Sequence, residues 1–128
     1  IGAGSVAGNS CEFKNSLLFD SVEAPHYNYV GDSILGYHAH MGAGSITSNI
    51  KSDRKNIVIR TDEGPLETGL RKIGAILGDY VEIGCGTVLN PGSIVGKNTM
   101  IYPLTSVRGP VPANSIVKSA ENIVIKQN

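Results

Sequence analysis

Ile83-Gly84-Cys85-Gly86-Thr87-Val88, Leu89-Asn90-Pro91-Gly92-Ser93-Ile94, Val95-Gly96-Lys97-Asn98-Thr99-Met100 and Ile101-Tyr102-Pro103-Leu104-Thr105-Ser106 are four consecutive hexads, each led by an aliphatic residue. A small residue follows four places later, and glycine often takes the second place. A period of six is neither the 3.6 of a helix nor the plain alternation of a sandwich strand, and it marks a parallel β-helix. Each hexad supplies a short strand and a corner. Stacked turns hydrogen-bond to one another and bury a column of aliphatic side chains.

Working outward from that block, further hexads fall at Ile1, Ala7, Phe13 and Phe19, at Tyr29, Leu35, Met41 and Thr47, and at Leu77 and Val107 on either side of the quoted run. Two breaks interrupt them. The register is expected to slip at Pro25-His26-Tyr27-Asn28, and an excursion is expected at about 50–70. Within the excursion the β-branched run Ile57-Val58-Ile59 reads as a strand and Asp62-Glu63-Gly64-Pro65 as a turn, so a small inserted hairpin is predicted. Ser115-Ile116-Val117 and Ile123-Val124-Ile125 read as closing strands, and the polar end Lys126-Gln127-Asn128 as a cap. Residues 1–128 are thus expected to form one all-β domain. The chain opens in phase at Ile1 without a methionine, which reads as a fragment of a longer protein.

Of the 128 residues, 41% are hydrophobic and 17% charged, a balance that can bury a core and excludes a disordered tail. Eleven basic residues meet eleven acidic ones, so no basic surface for nucleic acid or anionic lipid is expected. No apolar run reaches membrane-spanning length, and no signal peptide is visible. Cys11 stands at an inward-type position and Cys85 at a corner-type one; both read as free thiols, in keeping with a cytoplasmic protein.

Three stretches carry a resemblance: Ala7-Gly8-Asn9-Ser10-Cys11-Glu12-Phe13-Lys14, Ala24-Pro25-His26-Tyr27-Asn28-Tyr29-Val30-Gly31-Asp32, and Met41-Gly42-Ala43-Gly44-Ser45-Ile46-Thr47-Ser48-Asn49. The sequence resembles the hexapeptide-repeat acetyltransferase domain of the N-acetylglucosamine-1-phosphate uridyltransferases. Glu67-Thr68-Gly69-Leu70-Arg71-Lys72-Ile73-Gly74-Ala75-Ile76-Leu77-Gly78-Asp79 looks like archaeal-type sugar-1-phosphate nucleotidylyltransferases carrying such a domain. The resemblance implies a single-stranded left-handed parallel β-helix, three hexads to a turn, assembled as a homotrimer. It implies acetyl-CoA as co-substrate and an amino-sugar phosphate as acceptor, glucosamine 1-phosphate or a relative such as galactosamine 1-phosphate.

By that resemblance His26 is the catalytic base. Acyl transfer to an amine needs one, because an ammonium has no lone pair, and histidine titrates near neutrality. The plain alternative is a solvent-facing histidine in a loop. Lys14 matches a phosphate-contacting lysine, with an ordinary surface lysine as its alternative. Tyr29, His40 and Asn49 match sugar-contacting positions, and Asn49 alternatively caps the excursion. Lys55 is a further cation from the excursion. Ala43, Cys85 and Pro103 match positions that line the acetyl-CoA arm, although Pro103 has no N–H to offer it. His40 stands where the bacterial pattern has asparagine, and Ile50 where it has tyrosine. These departures keep a second reading open, a catalytically degenerate trimerisation domain of a sugar nucleotidyltransferase. No Gly-rich nucleotidyltransferase loop is present. His38-Ala39-His40 could put two rings on one strand face, but further ligands do not cluster in the sequence, so no metal site is expected.

Overall fold

A computed structural model describes residues 1–127; Asn128, the last residue of the expected cap, lies outside the described residues. Short parallel strands stack into three faces of a prism, a left-handed β-helix. The first face holds Val6–Asn9, Glu23–His26, His40–Met41, Glu82–Ile83, Met100–Ile101 and Ser115–Ser119; Asn122–Ile125 closes it as an antiparallel strand on the last of these. The second face holds Glu12–Lys14, Tyr29–Gly31, Ile46–Thr47, Val88–Leu89 and Ser106–Val107. The third holds Leu17–Leu18, Ile34–Leu35, Ala75–Leu77 and Ser93–Val95. No helix among the described residues is long and apolar enough to cross a membrane.

One residue per hexad points inward. Ala24, Met41, Ile83 and Ile101 line the first face from within, Val30, Leu89 and Val107 the second, Leu18, Leu35, Leu77 and Val95 the third, all buried. Between these columns run lines of small polar residues, Ser45, Thr87 and Thr105 among them, whose hydroxyls bond to corner carbonyls. Among the described residues no buried side-chain nitrogen or oxygen lacks a partner. A prism this narrow has room for little else, which accounts for the absence of tryptophan.

The register differs from the sequence expectation in one respect. Leu18 and Val30, not Phe19 and Tyr29, are the inward residues, and no slip occurs at Pro25-His26-Tyr27-Asn28, because Ala24 and Val30 keep the six-residue step. The missing residue is at the corner from second to third face, where Phe13 leads to Leu18 and Val30 to Leu35 in five places. The first two turns are accordingly seventeen residues long, Val6 pairing with Glu23 and Glu23 with His40, against eighteen for Glu82 with Met100. Asn15 and Asp32 turn these short corners with left-handed φ angles of 55° and 49°. Asn15 Nδ2 donates to Asp32 Oδ1 at 2.8 Å, and Asn49 Nδ2 to Asp32 Oδ2 at 2.6 Å, so a polar ladder staples three successive turns.

Where the third copy of that corner would close, the chain leaves the prism, returning at Ala75. The excursion carries the expected hairpin, Val58–Thr61 against Gly64–Glu67, with Gly64 and Pro65 already inside its second strand. The hairpin is docked: Ile57 and Ile59 are buried, and Gly92, at φ 80°, leaves room for them, since a Cβ there would lie 2.9 Å from Ile57 Cγ2. Cys11 is half-buried, Cys85 is exposed, and both are free thiols.

Candidate functional site

Four of the residues singled out in the sequence form one column. His26, Ala43, Cys85 and Pro103 each stand two places after an inward residue of the first face, Ala24, Met41, Ile83 and Ile101 respectively, at the corner leading to the second face. The backbone carries the alignment. His26 O accepts from Gly44 N–H at 3.0 Å, Ala43 O from Gly86 N–H at 3.0 Å, and Cys85 O from Leu104 N–H at 2.9 Å. At the spacing of neighbouring strands, the column rises roughly 14 Å from His26 to Pro103. All four residues are exposed. The N–H groups of Ala43 and Cys85 have no hydrogen-bond partner among the described residues. Gly42 keeps this edge tight, because a Cβ on it would lie 2.7 Å from Cys85 N.

Beside the lower half of the column lies an apolar cleft of about 420 Å³, walled by Ile83, Met100, Tyr102 and Pro103, with His40 and Glu82 at one end. His40 projects from the first face, and its Nδ1 lies 3.5 Å from Glu82 Oε2. Its expected companion His38 is elsewhere: it turns a corner at φ 61° and stacks on Tyr80 with ring centroids 5.1 Å apart. His38 lies outside the strand His40–Met41, so the two rings do not share a strand face, and among the described residues no three metal-ligating side chains gather.

The second face holds the other group. Tyr29 points outward between Glu12 and Ile46 and lies over Gly31, where a Cβ would collide with its ring. Its hydroxyl accepts from Asn49 Nδ2 at 3.1 Å. Lys14 pairs in register with Gly31 and is exposed, so it flanks the Tyr29–Asn49 pair from the turn above. His26 stands at the edge between this group and the apolar cleft. Lys55 stands on the excursion: its backbone N–H bonds to Asp53 Oδ1 at 2.9 Å, and its side chain is exposed. That bond holds the Asp53 carboxyl below the ordinary range.

One residue the sequence reading passed over holds the corner together. Asn28 is buried, with its Nδ2 donating to Gly42 O at 2.9 Å and Ser45 O at 2.9 Å. Its Oδ1 accepts from His26 N–H at 3.2 Å. It therefore ties the backbone of His26 to the turn carrying Ala43. The available signal is its place: Asn28 occupies the small-residue slot of its hexad, which Cys11, Ser45 and Thr87 fill in other turns.

No family model matches the chain. In sequence it is 35% identical over 118 residues to the bifunctional protein GlmU of Methanococcus maripaludis, a match covering 92% of this chain and 28% of that protein. It is 33% identical over 96 residues to a bifunctional sugar-1-phosphate nucleotidylyltransferase/acetyltransferase of Sulfurisphaera tokodaii, covering 75% of this chain and 24% of that one. The chain thus spans under a third of the length of these two relatives. In structure it is similar to PerB from Caulobacter crescentus, solved in complex with CoA and GDP-perosamine, with a TM-score of 0.60, 16% identity, and coverage of 88% of this chain and 50% of that one. The motif resemblance is therefore carried by nearly the whole chain, which is related to the hexapeptide-repeat segments of these bifunctional proteins.

Proposed function

We propose that this chain is an acyltransferase domain that moves an acetyl group from acetyl-CoA to the amino group of an amino-sugar 1-phosphate. The observation that carries the reading is the corner column, with an exposed histidine at one end and free N–H donors and an apolar cleft below it. The relatives' sequence similarity and the CoA bound to PerB point the same way.

In this reading the acyl thioester lies along the column, its arm in the cleft walled by Ile83, Met100 and Pro103. His26 takes a proton from the sugar ammonium, leaving a lone pair on nitrogen. The amine attacks the thioester carbonyl and forms the C–N bond. In this reading the N–H groups of Ala43 and Cys85, which have no partner among the described residues, stabilise the oxyanion that develops. Collapse breaks the C–S bond, and the CoA thiolate is protonated as the amine gives up its second proton. Tyr29 and Asn49 hold the sugar, Lys14 its phosphate, and His40 lies across the edge near the acyl group. The same reading makes the protein a cytoplasmic homotrimer in which a neighbouring copy faces the column.

A second reading has one observation in its favour. The His26 ring has no hydrogen-bond partner among the described residues to orient it, and His40 Nδ1 lies 3.5 Å from Glu82 Oε2. A degenerate trimerisation domain would look the same. Incubating the protein with acetyl-CoA and a panel of amino-sugar 1-phosphates, and weighing the products, separates the two. An N-acetylated product establishes transfer; a folded trimer that acetylates none of them is the structural domain.

A further inference from the structure

Six of the eleven basic residues, Lys51, Arg54, Lys55, Arg60, Arg71 and Lys72, lie within the excursion, with four of the eleven acidic ones, Asp53, Asp62, Glu63 and Glu67. All of the basic ones but Lys55 divide between its two sides. On one side Arg54, Arg71 and Lys72 face a hollow whose wall includes Asp32, a carboxylate already engaged by Asn15 and Asn49. On the other side Arg60 and Lys51 meet Arg108, from the edge of the second face, across a hollow of about 160 Å³. This hollow adjoins another of about 300 Å³ that shares Lys51, Asn90, Pro91 and Arg108 with it.

Arg60 and Arg108 have no carboxylate within ion-pair distance among the described residues, while Lys51 has Asp53 at 3.7 Å. Three cations in one small concavity repel one another, and an anion relieves that repulsion. The walls are preset. Ile57 and Ile59 are buried and hold the hairpin in place, and Val58 and Arg60 of the same strand line the hollow with Asn90, Pro91 and Gly92. Asn90 is fixed by donating to Ser106 Oγ at 2.9 Å and Val107 O at 2.8 Å. No aromatic side chain lines the hollow, so it offers a nucleobase nothing to stack on. Guanidinium forks from two sides suit a phosphate group.

We propose that this hollow between the hairpin and the prism is a phosphate-binding site, taking the phosphate or diphosphate end of a small ester, with Arg60 and Arg108 as forked donors and Lys51 as a point charge. It lies at the far edge of the face that carries Tyr29 and Asn49, on the order of 15 Å across the face from the corner column. The source of the phosphate rests on the acyl-transfer reading, coenzyme A where Lys14 holds the sugar phosphate and the amino-sugar 1-phosphate only where that phosphate lies here instead of at Lys14; the site itself does not rest on it.

The test is calorimetric titration of the intact chain with inorganic pyrophosphate. Binding is expected in the unaltered protein, weakened by at least about tenfold in Arg60→Gln/Arg108→Gln and unchanged in Arg54→Gln/Arg71→Gln. Circular dichroism checks that both variants fold. No binding, or equal weakening in both double variants, overturns the site. Displacement of bound pyrophosphate by coenzyme A assigns the ester to the cofactor, and displacement by glucosamine 1-phosphate to the sugar. Displacement by neither marks an adventitious ion only and overturns the assignment to an ester. Because binding is read without turnover, failure of acetyl transfer leaves this result standing.

Discussion

His26 and Asn28 stand two residues apart and do opposite work. His26 is exposed, so His26→Ala removes no buried side chain; its melting temperature is expected to stay unchanged while acetyl transfer falls by roughly 10²–10⁴-fold, the range for a general base. Asn28 is buried and bonds across to the next turn. Asn28→Ala is expected to cost about 1–3 kcal/mol in urea unfolding, the penalty for leaving buried carbonyls without a donor. Asn28→Asp makes a sharper test. It sets a carboxylate against the carbonyl oxygens of Gly42 and Ser45, so its stability is expected to recover as acid protonates the new group. A loss independent of pH would contradict the bonding described here. Of the two residues only His26 was legible in the sequence. A buried asparagine at a corner has the same composition signal as one in a loop.

Between hexads and hairpin, legibility followed the period. Ile83, Leu89, Val95 and Ile101 keep an unbroken six-residue step that fixes the phase even where Val88, Ile94 and Met100 stand beside them, and all four are buried. Leu17-Leu18-Phe19 and Tyr29-Val30 offer adjacent apolar residues without that unbroken step, so a corner one residue short could be hidden by shifting phase; the left-handed turns at Asn15 and Asp32 decide it. The excursion was legible as a break, but its docking was not, because Gly92 and Ile57 are far apart in sequence. Gly92→Ala forces a Cβ into the left-handed region and against Ile57 Cγ2; it is expected to cost about 1–3 kcal/mol. Limited proteolysis is then expected to cut within the hairpin while the prism resists. Cutting spread evenly over the chain would contradict independent docking. Asp53, whose carboxyl is held low chiefly by the Lys55 N–H and then by nearby lysines, adds stability at pH values above the ordinary carboxylate range. That contribution is lost as pH falls through its lowered pKa, and Asp53→Asn is expected to remove this acid-side slope from the unfolding curve.

At the scale of the molecule, stacking converts distant sequence into one edge. Pro25-His26 and Cys85-Gly86 are separated by the whole excursion, yet the strand register puts His26, Ala43, Cys85 and Pro103 in file. Their membership in a site came from resemblance, and their alignment could not be read until the turn lengths were known. The basic hollow was illegible for a similar reason: Lys51, Arg60 and Arg108 come together only when the hairpin folds back on the second face. The most direct test of acyl transfer at the corner column is release of free CoA thiol from acetyl-CoA, with each amino-sugar 1-phosphate as acceptor, by the unaltered protein and by His26→Ala. Sugar-dependent release that disappears in a folded His26→Ala variant is the expected result. Release that persists in that variant would contradict His26 as the base, and no release from the folded, trimeric, unaltered protein on any acceptor would contradict acyl transfer itself.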